Sequence, residues 1–342
     1  MNLTKKWNDT ANLLSKLTAA RIANCARVMS SYYRSRSSKV LHHTGMPISL
    51  SFEPTTSCNL RCPECPSGLR SFTRPTGMLS GNLYENVIDE LAPTLLYLIL
   101  YFQGEPYLNA NFFDFISFAA DRKIYTATST NGHYLDPENS RKTVESGLDR
   151  IIISIDGADQ STYESYRIGG SLEKVIEGTR QLVKWKRKLK STTPHIILQF
   201  IVFRQNETQI DQIRKLGKQL EVDEVAIKTA QIYDYMDGSE RITSVEKYSR
   251  YTQNGNGKWK LKNELFDHCW KMWQSSVITW DGKVVPCCFD KDASHVLGDA
   301  SMDSFEKIWK SDPYNNFRKQ ILKSRSSIDI CTNCTEGTKV WS

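Results

Sequence analysis

From residue 47 onward the chain alternates short, nearly continuous apolar runs with longer segments of helical spacing, and few folds accommodate that alternation. The apolar runs fall at 48–54, 95–102, 123–129, 150–155, 195–203 and 224–229. Helix-compatible segments occupy 80–92, 109–121, 138–147, 171–190 and 207–220. A strand that is apolar on both faces needs cover on both, and helical crossovers between parallel strands supply it. The reading is an α/β chain whose parallel sheet is buried on both sides. A length of 342 residues leaves room for one such body and a small appendage. Around 236–263 the composition turns to Gly, Ser, Asn, Lys and Tyr, which predicts a surface linker.

Charge separates the first 45 residues from the rest. They carry Lys5, Lys6, Lys16, Arg21, Arg27, Arg34, Arg36 and Lys39 against Asp9 alone, and so hold the whole net charge of +7. The remainder is neutral, which argues against a nucleic-acid binder. From about Leu3 to Tyr33 this arm reads as one amphipathic helix, with Trp7, Leu14, Leu17 and Ala20 in a stripe flanked by Leu3, Leu13, Ile22 and Met29. The expectation is that the stripe packs on the body and the basic face stays in water. Contact with an anionic membrane surface or an acidic partner is the alternative, less favoured. Cys25 within the arm reads as a small buried hydrophobe. No apolar run approaches the ~18–20 residues of a membrane span. Nine cysteines, an odd number with no secretory signal, argue against a disulfide framework and for metal ligation in a reducing, cytoplasmic setting.

Three of them stand in Cys58-Asn59-Leu60-Arg61-Cys62-Pro63-Glu64-Cys65, directly after the first apolar run. Cys62 and Cys65 could form a redox disulfide, but that leaves Cys58 without a role. A zinc site is a second reading, although zinc usually takes cysteines in C-x2-C pairs and closes at four ligands. Three thiolates from one loop suit an iron–sulfur cubane, each sulfur on a different iron and one iron left open.

This C-x3-C-x2-C spacing resembles the signature of the radical SAM superfamily. The resemblance implies a partial (β/α)6 TIM-like barrel over 46–235, matching the six units above. It also implies a 4Fe–4S cluster on Cys58, Cys62 and Cys65 whose open iron binds S-adenosylmethionine and, on reduction, yields a 5′-deoxyadenosyl radical. Glu64 stands where relatives often have an aromatic residue near the adenine. Four later runs resemble cofactor-binding stretches of the family. Gln103-Gly104-Glu105-Pro106 is similar to its Gly-Gly-Glu-Pro motif, which implies that Gly104 and Glu105 hold the methionine amino group. Ser129-Thr130-Asn131-Gly132 and Ser154-Ile155-Asp156-Gly157 resemble stretches lying against ribose and methionine, so Asn131, Ser154 and Asp156 join the candidates, Ser154 for a ribose hydroxyl. Arg167 resembles an arginine that pairs with the methionine carboxylate.

The tail holds Cys269, Cys287, Cys288, Cys331 and Cys334. Gly282 with Cys287 gives G-x4-C, and Cys331 with Cys334 gives C-x2-C. These resemble the first part of the SPASM or twitch extension, which implies a small C-terminal iron–sulfur domain over 264–342. No cysteine follows Cys334, so Cys269, Cys287, Cys331 and Cys334 are left for one auxiliary 4Fe–4S cluster, with a zinc ribbon as the alternative. Cys288 is expected to be buried or to support the site from behind. Trp280-Asp281-Gly282 reads as a hairpin turn, and Phe305, Ile308, Trp309, Phe317 and Ile321 as helical core. The resemblance implies an oxidoreductase of maturase type, served by an external donor of the flavodoxin or ferredoxin kind. A peptide or protein is the preferred substrate. A small-molecule dehydrogenase and a non-catalytic iron–sulfur or zinc scaffold are the alternatives.

Overall fold

The computed structural model describes residues 3–340, with side chains from residue 7, so the place expected for Leu3 in the arm's stripe lies outside the described side chains. Two helices, α1 (Leu3–Ser15) and α2 (Ala19–Ser38), precede β1 (Ser49–Phe52). A single turn α3 (Pro66–Leu69) and α4 (Gly81–Leu91) lead to β2 (Tyr97–Ile99). Then follow α5 (Phe112–Asp121), β3 (Tyr125–Thr130), α6 (Pro137–Glu145), β4 (Arg150–Ser154), α7 (Gln160–Tyr166) and α8 (Leu172–Lys188). The series closes with β5 (His195–Val202), α9 (Ile210–Gln219) and β6 (Glu224–Thr229). Each of the six expected strands is present, and they pair in parallel in sequence order. No pairing among the described residues joins β6 to β1. The barrel is therefore partial, with helices covering its outer face.

Beyond β6, the stretch expected to be a linker is folded. It carries a hairpin, β7 (Tyr251–Gln253) and β8 (Trp259–Leu261), whose Tyr251 packs with Phe203, Ile232 and Ile242 in a small cluster of its own. The C-terminal region then supplies α10 (Lys271–Gln274), β9 (Ser275–Ile278), β10 (Lys283–Val285), β11 (Gly298–Asp299), α11 (Phe305–Trp309) and α12 (Asp312–Ser324). Strand β9 pairs in parallel with β1, so this region continues the barrel's own sheet, which reaches nine strands. The β9–β10 turn falls at the expected Trp280-Asp281-Gly282, where Gly282 has φ +89, a conformation that favours glycine. Phe305, Ile308, Trp309, Phe317 and Ile321 are all buried, as their spacing predicts.

The arm departs from expectation in two ways. It is two helices, because Thr18 caps a new start by accepting from Arg21 N at 3.2 Å. And the side that α1 and the start of α2 turn to the body is polar, whereas Val28 and Tyr32 further along α2 join the apolar core and Met29 packs against it. Asn12 donates to Asp149 at 2.8 Å, Lys16 pairs with Asp149, and Asp9 binds Tyr125 and Arg150. Buried Arg21 donates to the carbonyls of Ala92 and Arg122 at 2.9 Å, and also to Lys123 O. The physical reason lies in the surface being covered. The amino ends of a parallel sheet and the carboxyl ends of its helices present unsatisfied polar groups, and a polar seam answers them. Trp7, Leu14 and Ile22 of the expected contact stripe and its flank consequently point outward, 71%, 57% and 55% exposed, and Ala20 is exposed as well. Cys25 is only half-buried.

Candidate functional site

The thiol triplet sits in the long loop that leaves the carboxyl end of β1. Its ends are stitched together: Leu79 N donates to Pro54 O at 3.0 Å, and Asn109 Nδ2 reaches both Pro54 O and Leu79 O. Arg74 grips buried Glu53 with two hydrogen bonds of 2.9 and 2.6 Å. Gly104, with φ +71, lies against this loop, and a Cβ there would stand 2.3 Å from Thr55 O. Only glycine allows the approach, which lets Glu105 N donate to Ser57 O at 2.8 Å. The run after β2 thereby clamps the loop that bears the cysteines.

Cys62 is buried, and Cys58 and Cys65 are half-buried. The three thiols lie within one another's electrostatic reach, and burial pushes Cys58 up to about 11 and Cys62 upward. Each has a polar neighbour from a different part of the barrel mouth. Asn131 Nδ2 lies 3.9 Å from Cys58 Sγ, Arg167 Nη1 3.8 Å from Cys62 Sγ, and Gln103 Oε1 3.9 Å from Cys65 Sγ. Gln103, which replaces the first glycine of the familiar motif, is thus part of the thiols' surroundings.

Glu105 is buried and accepts from Asn131 N at 2.7 Å and Thr130 Oγ1 at 2.8 Å. Burial raises its pKa to about 7 in spite of those donors. Ser154 ends β4 and is buried. Asp156 is fully buried and accepts from Arg167 Nε at 2.6 Å and Ile201 N at 2.7 Å. Asp156 thereby holds Arg167, whose Nη1 lies 3.8 Å from Cys62 Sγ.

Glu64 ties the triplet to the chain beyond β6. Its carboxylate accepts from Tyr233 N at 3.1 Å and pairs with Arg241 at 3.3 Å. Between them opens a cavity of about 590 Å³, walled by Pro63 and Glu64, by Tyr233 and Arg241, and by Phe289 and Lys291 of the C-terminal region. Lys291 Nζ donates to Tyr233 OH at 2.7 Å, and burial lowers its pKa. Nothing in the local pattern marked Tyr233 or Lys291. Lys291 lies three residues past Cys288, and that proximity was the one available cue.

Cys269, Cys331 and Cys334 are buried, Cys287 is half-buried, and the four are electrostatic neighbours. Cys288 is exposed rather than buried, and it stands as an electrostatic neighbour of Cys287. Fully buried Arg325, which no local pattern announced, donates to Cys334 Sγ at 3.2 Å, to His268 O and to Glu336 O. A Cβ on Gly337 would stand 2.4 Å from Cys269 Sγ, so the chain's last described turn closes tightly over this thiol. Among the described residues no three Cys, His, Asp or Glu side chains close on a single metal ion. The fit to clusters rests on the donor set: three thiols from one loop leave one corner of a cubane open, and four close another.

Comparison with known proteins agrees. Residues 52–216 match the radical SAM superfamily, and residues 269–335 match the SPASM iron–sulfur cluster-binding domain. The tungsten-containing aldehyde ferredoxin oxidoreductase cofactor-modifying protein of Pyrococcus furiosus is 25% identical over 320 residues, covering 84% of this chain and 86% of its own. The mycofactocin maturase MftC of Mycobacterium ulcerans is 24% identical over 315 residues, covering 86% and 81% respectively. SuiB of Streptococcus suis, solved with S-adenosylmethionine, has the same fold, with a TM-score of 0.63 at 13% identity over 91% of this chain and 77% of that one.

Proposed function

Because the chain belongs to the radical SAM superfamily and carries a SPASM domain in its C-terminal third, we propose that it matures a peptide or protein by radical oxidation or cross-linking of a side chain. Cys58, Cys62 and Cys65 would hold a cluster that, with S-adenosylmethionine bound, would supply 5′-deoxyadenosyl radical chemistry, and Cys269, Cys287, Cys331 and Cys334 would hold an auxiliary cluster that would supply an electron sink. The chain's own residues do the placing. Glu105, fixed by Thr130 and Asn131, accepts from the methionine ammonium beside the Gly104 backbone. Arg167, held by buried Asp156, takes the carboxylate. Ser154 offers its hydroxyl to the ribose. Reducing electrons come from an external donor of the flavodoxin or ferredoxin type.

The observation that carries the substrate reading is the cavity of about 590 Å³ with the triplet loop on one wall and the C-terminal region on another. Its rim is open, since Leu69, Ser71, Tyr233, Asp234 and Ser294 are exposed. A segment of polypeptide can lie across such a mouth, whereas small ligands are usually enclosed. Oxidising a C–H bond removes a hydrogen atom, an electron and a proton. Lys291, its pKa lowered by burial, stands in this wall as the proton acceptor. The relatives' names fit a maturase, one a mycofactocin maturase and one a cofactor-modifying protein.

The test uses reduced holoprotein, S-adenosylmethionine and a perdeuterated extract of the host, split by ultrafiltration into macromolecular and small-molecule fractions. Deuterium should enter 5′-deoxyadenosine from the macromolecular fraction. Transfer from the small-molecule fraction alone would establish the dehydrogenase alternative instead.

A further inference from the structure

We propose that the outer face of the N-terminal helices docks the enzyme on an anionic lipid surface, with the barrel mouth turned away from it. The inference starts from the inverted amphipathy of the arm. On α1, Asp9, Asn12 and Lys16 face the body, and Trp7 and Leu14 share the opposite, exposed side. On α2, Arg21, Asn24, Val28, Ser31, Tyr32 and Ser35 are buried. At 100° per residue, Ile22, Ala26 and Tyr33 then form one stripe and Arg27 and Arg34 the row beside it, together spanning the direction that points away from the body. All five are exposed.

Charge selects the occupant. Asp9 is the single acidic residue in positions 1–45, and it is spent on Tyr125 and Arg150. Arg27, Arg34 and Arg36 have no carboxylate partner among the described residues, which leaves a cationic face interleaved with apolar side chains. A second copy of the chain would bring these like charges together. A nucleic acid would take the arginines and leave Trp7, Leu14 and Ile22 in water. A bilayer with anionic headgroups satisfies both at once, the apolar side chains entering the acyl boundary and the arginines meeting phosphates. No helix among the described residues is long and apolar enough to cross a membrane, so the attachment is peripheral.

The seat of the arm fixes the orientation. Tyr125 and Arg150 open β3 and β4, and Ala92 and Arg122 end α4 and α5. These positions lie at the amino ends of the strands, opposite the loops that carry Cys58, Cys62, Cys65 and the cavity. Docking by the arm therefore leaves substrate access free, and the proposal stands independently of which substrate is used.

Sedimentation of the full chain with vesicles tests it. The protein should pellet with phosphatidylcholine and phosphatidylglycerol in equal parts, stay in solution with phosphatidylcholine alone, and be released by salt. A Trp7→Ser, Ile22→Ser variant should lose about tenfold in partitioning while melting at the native temperature, since both side chains are already in water. Arg27→Glu with Arg34→Glu should lose a similar factor and with it the salt dependence. Failure of the native chain to pellet with anionic vesicles overturns the proposal. So does pelleting that neither variant weakens, or an arm-dependent association with RNA or with a second copy that lipid does not displace.

Discussion

Burial holds Glu105 at the middle of its titration at neutral pH, with its pKa raised to about 7. Below that value it is protonated and a poor acceptor for an ammonium; above it, the carboxylate is ionised and its partner charge is missing until a cation arrives. Affinity for S-adenosylmethionine should therefore rise as pH climbs from about 6 to about 7.5 and then level off. Titration calorimetry on the holoprotein checks this, and Glu105→Gln should both weaken binding and flatten the profile. An unchanged slope in that variant would assign the proton to another group. Glu105, Arg167, the cysteine triplet and the Cys331–Cys334 pair were legible as candidates because each sits in a short run with a spacing of its own. Gln103, Lys291 and Arg325 were not. Their roles come from Cys65, Tyr233 and Cys334, partners set by tertiary structure that no local pattern announces.

At the scale of elements, apolar strands in a doubly covered sheet repeat one local signal, and all six were readable to within a few residues. The arm was misread because a stripe of hydrophobic side chains at helical spacing was assumed to mark the buried face. The partner surface of α1 and the start of α2 is the polar amino end of the sheet, so the seam there is made by Asp9, Asn12, Lys16 and Arg21, and apolar contact comes from Val28 and Tyr32 further on. Strand β9 was equally hidden, since parallel pairing with β1 joins residues more than two hundred positions apart. Arg21 gives this scale its test. The Arg21→Leu variant keeps the bulk but orphans the carbonyls of Ala92, Arg122 and Lys123, at a cost of about 3 kcal/mol. Urea unfolding should show the loss, while the folded fraction cleaves S-adenosylmethionine at the native rate. A midpoint that does not move would mean the arm covers the barrel without stabilising it.

For the whole molecule the question is how two thiol sets in one continuous sheet divide the work. They share no residue, and the cavity beside Lys291 lies between the loops that bear them. The Arg325 guanidinium beside Cys334 favours the more reduced, more negative state of whatever cluster these thiols hold, which suits an electron acceptor. Four thiols also leave that cluster no corner for a substrate. Holoprotein should then contain roughly eight irons per chain, and Cys331→Ala with Cys334→Ala about four. That variant should still make 5′-deoxyadenosine, because Cys58, Cys62, Cys65 and Glu105 are untouched, yet form little oxidised product. The converse variant, with the triplet changed to Ala, should keep about four irons and make no 5′-deoxyadenosine. Loss of cleavage in both variants would mean the two sets fold as one unit. Full product yield from the first would leave the C-terminal thiols a structural part only, and move the electron acceptor outside the chain.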